Sequence, residues 1–594
     1  MPNVYCCIKK SAGSVSTELD YSSYLVCGSW QTLYRYQRDS IFLSWTDNDK
    51  SSTWVNNEHG LALLLGSTIP SDCTGLLNHF LQEINTENCH DLLKKVDGRY
   101  CLFIVKRGIL YCSVDILNST RLYFYENPDY FAYSTSLKVM AKVFKLAPDL
   151  DGIKQKFIFY TNYYSNLIEG VRFVPYDSAT WHKIGQTSNP IQRQLHRLKY
   201  AESDPNMSLQ DAADKLQILI REIIHDLNLS DGVAVSLSGG RDSRFTMAEL
   251  VNALGNQNVK AFTVGAKRDI EGWFASKVCK KFKIAHKTLP PHRTSVSAME
   301  HFIWAIEDFD PGICTHHELL QILQQSKLPV VDTNSPEILL GHVEKGYGSK
   351  DYPLNFLYNR SQPDTILQVR DADAIVKNSE KEILSAWDAL PDDFPWYAKI
   401  RMIDFYYFQA RWCYWMLKLY GTASRTLPLY INQRMLNFCL NLPLEHVEDY
   451  SLYKFYCKNK LQKWFSVITT RDCKEDINQQ PLHVRIQRRI VGNYWKLMRT
   501  EYSVSETLRL SAHEIKTYII ENRDILEEIF ILSSIDAVLD KLDALIAYNK
   551  LLIKRNRPNC SLHEPLYFCS IIAFIKMIHG QIDYRCTPAK ICDL

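Results

Sequence analysis

Ser238-Gly239-Gly240-Arg241-Asp242-Ser243 is the stretch on which the reading of this chain turns. It follows a short apolar run, Gly232-Val233-Ala234-Val235-Ser236-Leu237, and precedes a helical pattern that reaches about Leu254. The run predicts a buried strand and the pattern a helix, so the six residues form a strand-to-helix loop. Two adjacent glycines let the backbone approach a ligand closely and allow positive φ. A helix N-terminus presents N–H groups and the positive end of its dipole, which favours phosphate oxygens. Ser238 and Ser243 add hydroxyl donors. Asp242 would repel bare phosphate but suits Mg²⁺, so the set asks for a Mg-complexed pyrophosphate. No Gly-Lys-Ser/Thr follows, so this is not the Walker arrangement.

Working outward, Val259–Val264 predicts a second strand, and a helix runs from about Glu271 to Phe282. Strand, loop, helix, strand and helix in that order predict a parallel α/β sheet. Upstream, residues 209–227 have helical periodicity behind a Ser208 N-cap. The first 200 residues are β-rich, with apolar or alternating runs at 41–45, 60–65, 100–106, 109–114, 122–125 and 131–133. Turn signals such as Asp47-Asn48-Asp49 and Asp97-Gly98 break them. A polar stretch at 192–206 reads as a connection, and aromatic-rich helical stretches dominate from about Trp396. The expected organisation is a domain over 1–200 and a second over 207–594, with a helical extension from about 475.

At about 150 residues per domain, a chain of 594 residues holds about four domains at most, and two or three are expected. With 46% apolar and 23% charged residues it is globular, not disordered or fibrous. A formal net charge of +3 argues against a general nucleic-acid binder. No run of 18 apolar residues occurs, so neither a transmembrane helix nor a membrane partner is expected. The first ten residues lack the basic start and apolar core of a signal peptide. The 17 cysteines form no CxxC pair, which predicts free thiols in a reducing, cytoplasmic compartment.

The 238–243 loop resembles the pyrophosphate loop of the N-type ATP pyrophosphatases. Its surroundings resemble the asparagine synthetase superfamily, including β-lactam synthetases and lasso-peptide cyclases. Those enzymes convert a carboxylate to an acyl-adenylate, release pyrophosphate and let an amine attack. Ala261-Phe262-Thr263-Val264-Gly265 resembles the family's second strand, whose backbone lies near the adenine. Glu307-Asp308-Phe309-Asp310 through Glu318 resembles the lining of the acyl-substrate pocket. Thr426-Leu427-Pro428-Leu429-Tyr430 resembles the R-x-P-F-L segment, and Arg471-Asp472-Cys473-Lys474 falls where the family has R-P-x-K. By that resemblance Lys474 offsets the negative charge built up in adenylation.

In the N-terminal region, Val96-Asp97-Gly98-Arg99-Tyr100, the stretch from Asp115 to Phe124, and Tyr133-Ser134-Thr135-Ser136-Leu137-Lys138 resemble strands of the family's glutaminase domain. The chain departs from the family in two places. Class B asparagine synthetases carry a nucleophilic Cys directly after the initiator Met; here Pro2 stands there, and Cys6 and Cys7 lie further in. Leu65-Gly66-Ser67 replaces the glutamine-binding N-G-E. In addition, Pro336 takes the place of a metal-binding Asp, leaving Asp332 or Glu337 to supply the carboxylate.

The expected fold is therefore a glutaminase-like, Ntn-type α+β sandwich without glutaminase activity. A parallel-sheet synthetase domain of the adenine-nucleotide α-hydrolase kind follows, with a helical C-terminal part. The resemblance implies ATP and Mg²⁺ as cofactors. Ser236, Ser238, Gly239, Gly240, Arg241, Asp242, Ser243, Val264 and Gly265 would face the nucleotide. Asp242 with Asp332 or Glu337 would hold the metal. The general base is sought among Tyr347, Glu344, Tyr406, Tyr407 and Tyr414, which spacing does not separate. The expected activity is AMP-forming amide ligation with an amine other than glutamine-derived ammonia, first of all macrolactam closure on a peptide. Candidate partners are a peptide or small-molecule carboxylate substrate and a precursor-processing protein. The alternatives are a β-lactam-synthetase-like ligase, an ammonia-dependent asparagine synthetase, and a non-catalytic nucleotide-binding or scaffold protein.

Overall fold

A computed structural model describes residues 3–11, 14–15, 22–26, 31–47, 51–70, 73–163, 165–201, 204, 206–264, 270–289, 295–309, 317–331, 333, 340–341, 352–360, 368–409, 414–469, 482, 484–487, 489–490, 503–547, 564–586, 588 and 590–593. The N-terminal part holds twelve strands: β1 (Val4–Lys9), β2 (Thr32–Arg38), β3 (Ile41–Asp47), β4 (Ser52–Asn57), β5 (Gly60–Thr68), β6 (Gly98–Lys106), β7 (Ile109–Val114), β8 (Tyr123–Glu126), β9 (Tyr130–Ser134), β10 (Arg172–Phe173), β11 (Ser178–Lys183) and β12 (Ile191–Gln194). Then follow β13 (Val233–Ser236), β14 (Val259–Val264), β15 (Ala285–Leu289), β16 (Val330–Val331), β17 (Thr426–Leu427) and β18 (Lys590–Asp593).

Alternation along the strands decides the layers. β1 sends Val4, Cys6 and Ile8 into one core, and Tyr5 and Cys7 into another. β5 splits Leu61, Leu63 and Leu65 from Ala62 and Leu64; β6 splits Cys101, Phe103 and Val105 from Tyr100, Leu102 and Ile104. A strand with apolar residues at both parities needs cover on both faces. The sheets β10-β8-β9-β1-β3-β2-β18 and β12-β11-β7-β6-β5-β4 stack on their shared core. Helices Thr74–Glu83 and Cys89–Leu93 cover the outer face of the second sheet. Helices Leu137–Phe144 and Leu150–Phe159 cover the first. The result is the expected Ntn-type sandwich, with four layers in the order α-β-β-α. Each apolar run singled out in the first 200 residues falls on a strand, the run at 122–125 starting one residue before β8. The sequence reading does not single out β1, β2, β4 and β11; β1 and β11 are buried along nearly their whole length, whereas β2 and β4 are partly exposed. β18, from the far end of the sequence, pairs parallel to β2.

The third sheet is all parallel, in the order β15-β14-β13-β16-β17. β13 is central, and successive strands add first on one side and then on the other. The helix Leu209–Asp226 precedes it, closed by a Ser208–Asp211 capping box and buried along Ala212, Leu216, Ile220 and Ile223. The helix Glu564–Ile578 is apolar all round and buried in the core. No helix among the described residues is long and apolar enough to cross a membrane.

A buried charge network joins the two halves. The helix Val296–Ile306 ends at Glu307, which adopts φ 56°. The Glu307 carboxylate accepts from Ser136 Oγ at 2.9 Å, Lys138 N at 2.9 Å, Lys138 Nζ at 3.1 Å and Lys418 Nζ at 3.3 Å. Asp308 accepts from Arg121 Nη1 at 2.8 Å and from Lys156 Nζ. Burial works to raise the Glu307 carboxyl, but Lys138 and Lys418 outweigh it and hold it below the ordinary Glu value. Elsewhere in the junction, Arg99 Nη1 donates to Thr426 Oγ1 at 2.7 Å, and Gln433 N donates to Asp97 Oδ1 at 2.6 Å. Glu307→Ala is expected to cost about 3–5 kcal/mol, because it leaves two buried ammonium groups without their shared anion. Denaturant titration should show that loss, with Glu307→Gln losing less because it keeps an acceptor.

Candidate functional site

In a parallel sheet, ligands bind beyond the carboxyl ends of the strands, where the strand order reverses. Here that point lies between β13 and β16. The 238–243 loop leaves the carboxyl end of β13 and enters the helix Asp242–Leu254. Thr333, just past β16, donates its hydroxyl to the Ser236 carbonyl at 3.3 Å and ties the two strand ends together. Ser236 and Val264 are the last residues of β13 and β14, on the same edge.

The loop is knitted internally. Ser238 N donates to Ser243 Oγ at 3.0 Å, the two hydroxyls lie 3.0 Å apart, and Gly240 N donates to Ser238 Oγ at 3.1 Å. Neither Gly239 nor Gly240 adopts positive φ, so the expected use of that freedom is corrected. Close packing explains Gly240 instead, since a Cβ there would lie 3.1 Å from Ser238 Oγ. Arg241 takes the N-cap position and makes no side-chain cap. Gly239 N donates to the Glu271 carboxylate, which comes from the first turn of the helix Ile270–Phe282. Thr263 Oγ1 donates to the Leu237 carbonyl at 2.7 Å and contacts His286 Nε2 at 2.8 Å. Burial lowers the His286 pKa, favouring the neutral ring.

The two helices beside the loop hold one later segment. Arg244 is buried and donates to the carbonyls of Val467 and, at 3.2 Å, Ile468. Phe274 packs with Ile468, and Phe282 stacks on Trp464 at 3.6 Å. That segment leads in sequence toward Lys474, which lies outside the described residues, as do Tyr347, Glu344, Gly265, Asp332, Glu337 and Pro336. Among the described residues no three His, Cys, Asp or Glu side chains form a metal cage. Mg²⁺ is usually held by one or two carboxylates together with substrate phosphates. Asp242 at the loop fits such a role.

Other expectations change. Glu307 and Asp308 do not line an open pocket; they are buried and bound to cations of the N-terminal half, which fixes the domain junction. Of the candidate bases, Tyr406 is buried and stacks on Tyr176 at 3.5 Å, and burial raises its hydroxyl well above the ordinary value. Tyr407 donates to Glu382 at 3.2 Å, while the side chain of Tyr414 lies outside the described residues. Cys6 and Cys7 are fully buried; burial pushes the Cys7 thiol up to about 12 and Cys6 well above its ordinary value, so neither is a ready nucleophile. Sequence reading missed Thr333 and Arg244 and took Glu271 only as a helix start. An acid in a first turn looks like ordinary dipole pairing until the facing loop is known.

No family model matches this chain, and no curated protein matches it. Among solved structures it is similar to an NH3-dependent NAD synthetase from Campylobacter jejuni in complex with nitrate: 18% identity, 32% of this chain, 100% of that chain, TM-score 0.19. It is similar to the allosteric regulatory enzyme of purine biosynthesis: 7% identity, 49% of this chain, 81% of that chain, TM-score 0.23. It is also similar to the glutamine phosphoribosylpyrophosphate amidotransferase of B. subtilis complexed with ADP and GMP: 8% identity, 61% and 80% coverage, TM-score 0.21. Likenesses this distant carry no argument, and the fold assignment rests on strand order and layering.

The loop helix contains a titratable group of its own. Glu249 is fully buried and accepts from Tyr456 Oη at 2.9 Å. Burial pushes its carboxyl up to about 7, although Tyr456 and Arg221 pull the other way. The folded protein thus keeps a proton that the unfolded chain releases near 4.5. The associated stability is fully present below 4.5 and is lost as pH rises to about 7, by about 3 kcal/mol. Glu249→Gln should abolish that slope. Thermal melts at pH 5 and pH 8 should therefore show wild type losing more stability than the variant across this interval.

Proposed function

We propose that this chain is an ATP-dependent, AMP- and pyrophosphate-forming amide ligase acting with an amine that does not come from glutamine. The observation that carries it is the 238–243 loop at the strand-order reversal, feeding the helix Asp242–Leu254. There, loop N–H groups, serine hydroxyls and a helix N-terminus converge with Asp242. The substrate carboxylate attacks the α-phosphorus of ATP and pyrophosphate leaves. The amine then attacks the acyl-adenylate carbonyl, and AMP leaves as the amine loses its proton to a base. The loop would hold pyrophosphate, Asp242 would hold the Mg²⁺ that accompanies it, and the backbone ends of β13 and β14 would flank the nucleoside. Lys474 is assigned, by family resemblance, to neutralise charge on the departing pyrophosphate. Mg²⁺ supplies charge neutralisation on the phosphates when bound.

The amine source is argued from the N-terminal sandwich. Its first strand carries Cys6 and Cys7 as core residues, and Gly66 lies inside the β5–β6 pair with no room for a side chain. A sandwich whose first-strand thiols are buried supports an amine other than glutamine-derived ammonia, and intramolecular closure on a peptide, as in lasso-peptide cyclases, is the first such reading. A small-molecule ligase of the β-lactam synthetase kind shares the same loop chemistry.

Mg-ATP should stabilise the protein, by about 2.7 kcal/mol at a hundredfold excess over Kd. The thermal shift should require Mg²⁺ and vanish in Asp242→Ala. A shift independent of both would remove the nucleotide assignment. AMP formation from ATP with a supplied carboxylate then separates a ligase from a nucleotide-binding scaffold.

A further inference from the structure

The peptide that opens the 238–243 loop is held at both of its polar ends. The Leu237 carbonyl accepts from Thr263 Oγ1 at 2.7 Å, and the Ser238 N–H donates to Ser243 Oγ at 3.0 Å. The peptide before it is held in the same way. The Ser236 carbonyl accepts from Thr333 Oγ1 at 3.3 Å, and Leu237 N donates to the Phe262 carbonyl at 2.7 Å. With two successive peptide planes held, both dihedrals of Leu237 between them are determined. The direction in which the chain enters Ser238 follows from that. β13 ends at Ser236, so a threonine hydroxyl from β14 meets the Leu237 carbonyl just past the strand end. Thr263 is itself oriented. It is buried, and its one hydroxyl proton goes to Leu237, so its oxygen accepts from His286 Nε2, 2.8 Å away on β15. In the neutral ring the proton then sits on Nε2, and Nδ1 is the acceptor that faces Ser276 Oγ at 3.4 Å. The donors Ser276, His286 and Thr263 all point one way, toward the Leu237 carbonyl, and hydrogen bonds in such a series polarise one another.

We propose that Thr263 is a positioning residue for the phosphate loop: its hydroxyl, oriented by His286, sets the peptide between Leu237 and Ser238 and with it the placement of the Ser238 and Ser243 hydroxyls toward the ligand's phosphates. This rests on the phosphate-loop reading above and names the side chains that give the loop its shape. Thr263 and His286 act through the loop backbone. Removing the Thr263 hydroxyl leaves the Leu237 carbonyl and the His286 N–H without their shared partner, and the first peptide of the loop is then free to turn.

The test is calorimetric titration with inorganic pyrophosphate in excess Mg²⁺, on wild type, Thr263→Ser, Thr263→Val, His286→Ala and the double variant of the last two. Thr263→Val keeps the shape and removes the hydroxyl; it should bind about tenfold weaker than wild type. Thr263→Ser keeps the hydroxyl and should stay within about twofold. His286→Ala should weaken binding about threefold alone and add little to Thr263→Val, because it acts only through that hydroxyl. Thermal melts without ligand report folding. Ile535→Val, on the helix Leu532–Ala547, lowers stability away from the loop and should leave the affinity unchanged. Thr263→Val within about twofold of wild type, Thr263→Ser as weak as Thr263→Val, or full additivity in the double variant would each overturn the proposal. If Thr263→Val does not fold, an unchanged affinity in His286→Ala overturns it instead. If wild type binds neither Mg-pyrophosphate nor Mg-ATP, the phosphate-loop reading fails and this inference falls with it; if wild type binds and the variants match it, this inference alone falls.

Discussion

Glu307 and Asp308 end one helix inside the junction between the sandwich and the parallel sheet, and their burial constrains much of the molecule. A buried carboxylate is tolerated only when its partners are all in place. Those partners come from separate elements: Ser136 and Lys138 after β9, Arg121 before β8, Lys156 on the helix Leu150–Phe159, and Lys418 on the helix Tyr414–Ala423. Lys138 also reaches the Trp304 carbonyl at 2.8 Å, which satisfies the end of the same helix. A small rotation of one half against the other would break several of these bonds together. Replacement by apolar residues of similar size need not weaken such a network, so its main effect is to select one arrangement of the halves.

That arrangement gives the parallel sheet a fixed edge. β17 runs beside β16 and accepts the Arg99 contact through Thr426, so the sandwich braces the sheet on the side away from β14 and β15. The reversal of strand order then opens beside β13, with the loop on one side and Thr333 on the other. Electrostatics at this point are mixed by construction. A helix N-terminus attracts anions, while Asp242 and Glu271 repel them.

The sandwich keeps its layers with its first-strand thiols buried. Its layers depend on alternating residues in β1, β5 and β6, and that alternation uses Cys6 and Cys7 as small buried apolar groups. Their thiols are pushed upward by burial, so the residues that resemble a displaced nucleophile serve the packing. Likewise Asp97 and Arg99, within a stretch that resembles a glutaminase strand, spend their polar groups on Gln433 and Thr426 across the junction.

Taken alone, the sequence determined the local elements and the chemistry of the loop. Helices over 209–227 and 242–254, the strand Val259–Val264 and the Ser208 cap were legible because periodicity, capping residues and glycine pairs act over a few neighbours. The serines, Asp242 and the helix start likewise marked a candidate phosphate site within six residues. Tertiary structure alone decided what stands opposite that site. Glu271 lies 32 residues from Gly239, and Thr333 lies 97 from Ser236; no local pattern marks either pair. It also decided that Glu307 and Asp308 brace a junction, because their partners lie 111 to 187 residues away and only burial made pairing obligatory. Strands buried on both faces, such as β1, were missed for the same reason: a residue's period says which way it points, and the fold decides whether anything is there to meet it.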